Sequence, residues 1–216
     1  SCRWKYSLVE SNRPGEYYPI EEDEHGTYIF NSKDLCLIHR IPDLYEAGID
    51  SLKIEGRMKS VHYCATVAKV YRTAIDTYLK ERENWYVRPE WIAELEKISH
   101  RPYTNGFADG RPDESAQNYG KSTNTQTHDF IGLVLGYNDE EKYVDLEQRN
   151  NFKVGDKVEF CQPKGELVVA VIEKMTDEDG NPIDVAPHAQ MKVRLYMDTK
   201  LEPYSMMRRE CKVKAE

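Results

Sequence analysis

Residues 51–59 read Ser-Leu-Lys-Ile-Glu-Gly-Arg-Met-Lys and set a carboxylate, a glycine and a guanidinium side by side at Glu55, Gly56 and Arg57. A carboxylate at the end of a strand serves as a general base, a metal ligand or a hydrogen-bond acceptor for substrate. The forked guanidinium suits a carboxylate or a phosphate, which it grips with parallel N–H donors. Gly56 lets backbone approach a ligand closely. The competing reading is an ion pair, Glu55 with Arg57 or Lys59, that closes a strand-to-helix turn; exposed pairs contribute roughly 0 to 1 kcal/mol. Lys53 alternates with Ile54 along the expected strand. It either faces an interior or snorkels at a rim.

A second group of chemical residues is the run Glu21-Glu22-Asp23-Glu24-His25-Gly26. Four carboxylates beside a histidine resemble a divalent-metal site, although the spacing matches no standard metal motif. A charge run is also the ordinary composition of a solvated loop. Five cysteines, an odd number and widely spaced, fit a reducing compartment better than a disulfide framework. Cys64 falls on an expected helical core stripe, and Cys161 and Cys211 fall in a strand-rich part; these three read as structural. No Gly-x-Ser-x-Gly elbow, His-Glu-x-x-His helix or P-loop occurs. Near the C-terminus Tyr196, Tyr204, Arg208 and Arg209 offer stacking surfaces and phosphate partners for a nucleic acid, with ordinary surface as the alternative.

The elements that must position these groups fall into two styles. Residues 1–26 read as loop and residues 27–30 as a strand. Ser32 is a good N-cap for a helix that Pro42 breaks or restarts and Gly48 stops. Residues 51–55 form a second strand. Ser60 caps a helix running to about Leu79, with Cys64, Val67, Ala68, Tyr71, Ile75 and Tyr78 as its buried stripe. Strand and helix alternate here as in the βαβ unit of a parallel sheet. Pro89 opens a short helix with Trp91, Ile92, Leu95 and Ile98 on one face. Residues 100–127 are rich in Pro, Gly, Asn, Ser and Thr and read as a linker. From His128 the apolar period becomes two, with Val144/Leu146, Val158/Phe160 and Met191/Val193/Leu195/Met197 as inward positions. Gly155-Asp156 and Asp179-Gly180-Asn181-Pro182 are the turns between them.

Three regions follow: residues 1–80 as two βα units, residues 81–127 as helix and linker, and residues 128–216 as a small antiparallel β-barrel or sandwich. The fold class is α/β plus all-β. Two βα units cannot close a barrel, which needs eight strands. A formal net charge of −8 argues against broad, non-specific nucleic-acid binding and requires any basic patch to be local. No run of apolar residues is long enough to span a bilayer as a helix, and the start carries no signal segment, so the expected location is cytoplasmic.

Cys2-Arg3-Trp4, Glu21-Glu22-Asp23-Glu24-His25-Gly26-Thr27-Tyr28, Asn31-Ser32-Lys33-Asp34-Leu35 and Lys53-Ile54-Glu55-Gly56-Arg57 together resemble the collagenase-like peptidase family U32. The nearest subgroup makes 5-hydroxyuridine at the tRNA wobble position. The resemblance implies that the chain is the last part of a longer protein, with most of a TIM-type β/α barrel upstream of Ser1 and a small β-barrel at its end. It implies Glu55, Arg57 and His25 as catalytic residues, and Lys53, Gly56, Lys59, Glu22 and Asp23 as substrate-binding residues. It implies an iron–sulfur cluster for which Cys2 and Cys36 are ligands, the others lying upstream. The expected partners are tRNA, gripped in part by Arg208 and Arg209, and a small carboxylate donor such as prephenate. The rival activity is peptide cleavage, collagen included, with Glu55 and the His25 loop as acid and base. A third reading is a fragment retaining only its β domain as a binding module.

Overall fold

The computed structural model describes residues 7–9, 14–15, 17–23, 26–29, 33–110 and 125–211, with side chains outside the strands between 18 and 29. The chain divides into two compact units: Ser1–Asp50 with Ser99–Thr125, and Ser51–Ile98 with Gln126–Glu216. Residues 51–98 thus group with the β-rich part rather than with the N-terminal part.

In the first unit, β1 (Ser7–Leu8), β2 (Tyr18–Asp23) and β3 (Gly26–Ile29) form an antiparallel sheet in the order β1-β2-β3. The expected loop over residues 1–26 therefore carries two strands. β4 (Asp34–Leu35) lies parallel to β5 (Tyr103–Thr104), the one parallel strand pair among the described residues. The start of the expected linker is thus structured. Asp34 ties it down, accepting from the Arg101 backbone N–H at 3.0 Å and from Arg101 Nε at 3.2 Å. A 3-10 turn leads into α1 (Ile41–Glu46), which has Pro42 in its first turn. A missing N–H costs nothing there, so the proline starts the helix instead of interrupting one. Gly48, at φ +74°, ends it. Ser32, the expected cap, lies outside the described residues.

The second unit opens without the expected strand. Residues 51–55 are not a strand; they form an exposed irregular segment. A strand exists only with a ladder partner, and Leu52 and Ile54, 37% and 40% exposed, find none. The described residues accordingly show no β/α-barrel strand.

α2 (Val61–Lys80) follows, with Ser60 Oγ accepting from the Tyr63 N–H at 3.2 Å as its N-cap. Its buried face is His62, Thr66, Val67, Val70, Ala74 and Tyr78, which shares only Val67 and Tyr78 with the expected stripe. The partner chose the face. Trp85 donates its indole N–H to the Ala74 carbonyl at 3.1 Å and meets the Tyr78 ring edge-on at 5.8 Å. α3 (Pro89–Glu96) buries Trp91 and Leu95.

The remaining strands are β6 (His128–Asn138), β7 (Tyr143–Gln148), β8 (Phe152–Lys153), β9 (Lys157–Cys161), β10 (Val168–Val171), β11 (Met175–Asp177), β12 (Val185–Ala186), β13 (Lys192–Tyr196) and β14 (Met206–Glu210). Seven form an antiparallel sheet in the order β10-β9-β14-β6-β7-β13-β11, and β8 pairs with β12. One core cluster takes Ile131, Val144, Leu146, Phe160, Met175, Val193 and Leu195 from strands across the sheet, with Val168 and Ala170 of β10 packed against it. Both edges reach one core only if the sheet curls, so the β part is a curled, open sheet. The expected alternation holds: Val144 and Leu146 are 0% exposed while Asp145 between them is not buried. Both expected turns carry a left-handed glycine, Gly155 and Gly180, each at φ +88°. Among the described residues no helix is long and apolar enough to cross a membrane.

Candidate functional site

The loop at residues 51–60 is built outward from the N-terminus of α2. Glu55 Oε1 accepts from the Arg57 backbone N–H at 3.0 Å, and the Lys59 N–H donates to the Gly56 carbonyl at 2.9 Å. These two bonds fold the loop back on itself. No ion pair joins the Glu55 and Arg57 side chains, so their charged groups are not spent on each other. Both residues are exposed, as is Lys53. Lys59 sets its ammonium 5.2 Å over the Tyr63 ring. Gly56 is a glycine for steric reasons: a Cβ there would lie 2.7 Å from Cys64 Sγ. Cys64 is therefore exposed and packed against the loop, not part of the helical core stripe expected of it.

The other expected residues fall elsewhere. Cys2 and His25 lie outside the described residues, as do the side chains of Glu22 and Asp23, whose backbone belongs to β2. Cys36 is buried just after β4, its N–H donating to the Thr104 carbonyl at 2.9 Å. Among the described residues no three His, Cys, Asp or Glu side chains converge as metal ligands. These residues do not by themselves form an iron–sulfur site. Cys161 is buried, and Cys211 lies 3.5 Å from Asp129 Oδ1, where burial and that carboxylate push its thiol up to about 11.

Arg208 occupies a position unlike the solvent-facing RNA contact expected of it. Its side chain is 0% exposed. The two terminal nitrogens each lie 2.8 Å from a Glu94 oxygen, and Nε donates to Glu159 Oε2 at 2.9 Å. Lys97 closes the ring, bonding Glu94 at 2.9 Å and Glu159 at 3.0 Å. Burial pushes both carboxyls up, but the hydrogen bonds and charges of Arg208 and Lys97 outweigh it and hold both below the usual range. His62 stacks on Phe130 at 5.6 Å beside this cluster, and burial with the Arg208 charge lowers its pKa to about 4. Arg209 is largely buried and paired with Asp156. The sequence gives no sign of the cluster because Glu94 and Lys97, three residues apart, lie far along the chain from Glu159 and Arg208, and each reads as surface.

Outward from β7 and β13 lies a different surface. Its cross-strand pairs are Glu147 with Lys192, Asp145 with Arg194, and Tyr143 with Tyr196. Arg194 sits 5.3 Å over the Tyr143 ring and Lys174 4.3 Å over Tyr196. Its signs in the sequence are Tyr196, read as a stacking surface, and the polar positions alternating with Val144, Leu146, Val193 and Leu195.

Two family models match the chain: Peptidase family U32 over residues 1–118 and Peptidase family U32 C-terminal domain over residues 126–208. The chain belongs to peptidase family U32. It is 44% identical to tRNA hydroxylation protein P1 of Bacillus subtilis, over 97% of this chain and 49% of that protein. It is 38% identical to tRNA hydroxylation protein P of Escherichia coli, over 91% of this chain and 43% of that one. A protein named Collagenase from Porphyromonas gingivalis is 26% identical over 82% of the chain and 47% of its own length. The chain spans about half the length of these curated relatives. A solved C-terminal domain of a Geobacillus thermoleovorans U32 peptidase is 47% identical, covers 38% of this chain and 99% of its own, and superposes with a TM-score of 0.37.

Proposed function

We propose that the protein takes part in hydroxylating uridine at the tRNA wobble position. The carrying observation is the 44% identity, over nearly the whole chain, to a tRNA hydroxylation protein. The loop geometry supports it: Glu55 and Arg57 are exposed, adjacent and not paired with each other. In this reading Arg57 holds a small carboxylate donor such as prephenate, and Glu55 positions it or moves a proton. The β/α-barrel assignment of residues 1–80 belongs to the same proposal. It is supported by the exposed apolar side chains of Leu52, Ile54, Met58 and Val61 around the loop, which barrel packing would cover. The reading places the protein in the cytoplasm, with its tRNA.

The second reading is peptide cleavage, favoured by the relatives named as a collagenase and as a protease and by the family's name. Nucleoside analysis of tRNA from cells lacking the protein separates the two. Loss of 5-hydroxylated uridines, restored by the wild-type gene, is the expected result. Unchanged tRNA together with gelatin cleavage by the purified protein would put the peptidase reading first.

A further inference from the structure

The expected RNA contacts, Arg208 and Arg209, are committed to internal carboxylates, so an RNA-gripping surface on the β part would use other side chains. The surface outward from β7 and β13 has the chemistry. A cleft of about 310 Å³ opens there, lined by Leu135, Gly136, Asp145, Glu178, Lys192 and Arg194, with Leu146 and Val193 beneath. Its volume is at the lower end for small-ligand pockets and suits one base with its ribose. Gly136 forms part of the floor, and a Cβ there would meet nothing within 4 Å. Leu135 is 40% exposed beside it, an apolar surface that a base can cover.

The polar groups are arranged by register. Arg194 stands directly across from Asp145, and Lys192 across from Glu147. Lys192 is 44% exposed and bonds Glu147 at 2.6 Å, a carboxylate that Arg149 also binds at 3.0 Å. Two cations thus share Glu147, which leaves positive charge in excess at that end. Arg194 sits 5.3 Å over the ring of Tyr143, itself buried, the neighbouring Lys174 lies over the partly exposed Tyr196, and the two tyrosine rings meet edge-on at 5.7 Å. Alternating cations and aromatic rings on a strand face serve single-stranded nucleic acid: cations meet phosphates and flat groups meet bases. Asp145 and Glu178 supply acceptors for the N–H groups of a base edge. Within a chain of net charge −8, Arg194 and Lys192 are the cations of the cleft that a phosphate would meet, balanced there by Asp145 and Glu178.

The geometry points to this cleft as the seat of one unpaired nucleotide of the RNA substrate. Its phosphate meets Arg194 and Lys192, and its base lies over Gly136 toward Asp145 and Glu178. The inference rests on the tRNA reading above. Two variants of the full chain separate its parts. Arg194→Ala removes a phosphate partner. Gly136→Phe adds bulk at the cleft without changing charge, at a position where a Cβ meets nothing within 4 Å.

Fluorescently labelled tRNA is titrated at two salt concentrations, with thermal melts of each variant. Arg194→Ala is expected to weaken binding at least fivefold and to reduce the salt slope by about one. Gly136→Phe is expected to weaken binding with the slope unchanged. Lys157→Ala, on the distant strand β9, is expected to bind like wild type. Wild-type affinity in Gly136→Phe would overturn the cleft assignment while leaving the tRNA reading standing, since the unaltered protein still binds. No binding of tRNA by the unaltered protein would overturn both.

Discussion

Gly56 and Cys64 are a matched pair, because the thiol occupies the space a Cβ at position 56 would need. Gly56→Ala should cost about 1 to 3 kcal/mol or displace the loop. Cys64→Ala should return much of the loss, giving a coupling of at least about 0.5 kcal/mol in a double-mutant cycle read by denaturant unfolding. Arg208 is bound more tightly still. Arg208→Met leaves Glu94 and Glu159 without their main cation and should destabilise by about 3 to 5 kcal/mol. The same groups set the acid response. Glu94 and Glu159 titrate below the ordinary range, so their stabilisation is present above the glutamate pKa and is lost as pH falls past it. His62 falls from 6.5 to about 4, so the unfolded chain binds its proton first. Its contribution, on the order of 3 kcal/mol at most, is whole above pH 6.5 and declines toward pH 4. His128, also lowered by burial, acts in the same direction. Thermal melts from pH 7 to 4 should therefore fall less steeply for His62→Phe than for wild type. An unchanged slope would show that His62 does not report on this cluster.

At the scale of elements, the ion cluster fastens α3 to β9 and β14. A piece of residues 126–216 lacks Glu94 and Lys97 and should melt below residues 51–216, and Arg208→Met should cost it less. Equal melting of the two pieces would remove α3 from the account of the β part's stability. The strands were legible in the sequence where one face had to be buried: Val144 with Leu146, and Val193 with Leu195, fix their registers by a period of two. Arg208 was not legible. A bulge between Met207 and Arg208 breaks the alternation, so Met206, Met207 and Arg208 are all buried in succession. The buried face of α2 differs from the expected one because His62 turns inward to stack on Phe130 and Thr66 is buried with it, a choice made by packing partners and not by hydrophobicity. Residues 51–55 have strand composition, but composition does not supply the missing ladder. Of the candidate site, the loop Glu55-Gly56-Arg57 was legible as chemistry, whereas its support by Cys64 was not.

For the whole molecule, the central claim joins the loop at Glu55 and Arg57 to tRNA hydroxylation. On the proposed reading the β part contributes affinity for RNA and the loop contributes chemistry, so variants of the two should separate. Arg194→Ala should lower modification in proportion to lost binding and be offset by raising the protein's level. Loop variants should not be offset in that way. The most direct measurement is the amount of 5-hydroxylated uridine in tRNA, by nucleoside mass spectrometry, from cells whose only copy of the gene carries Glu55→Gln or Arg57→Ala. Protein level and melting temperature are measured alongside. The account predicts at least a tenfold loss of the modified nucleoside with each variant present at wild-type level and stability. Full hydroxylation with either variant, at equal protein level, would contradict it.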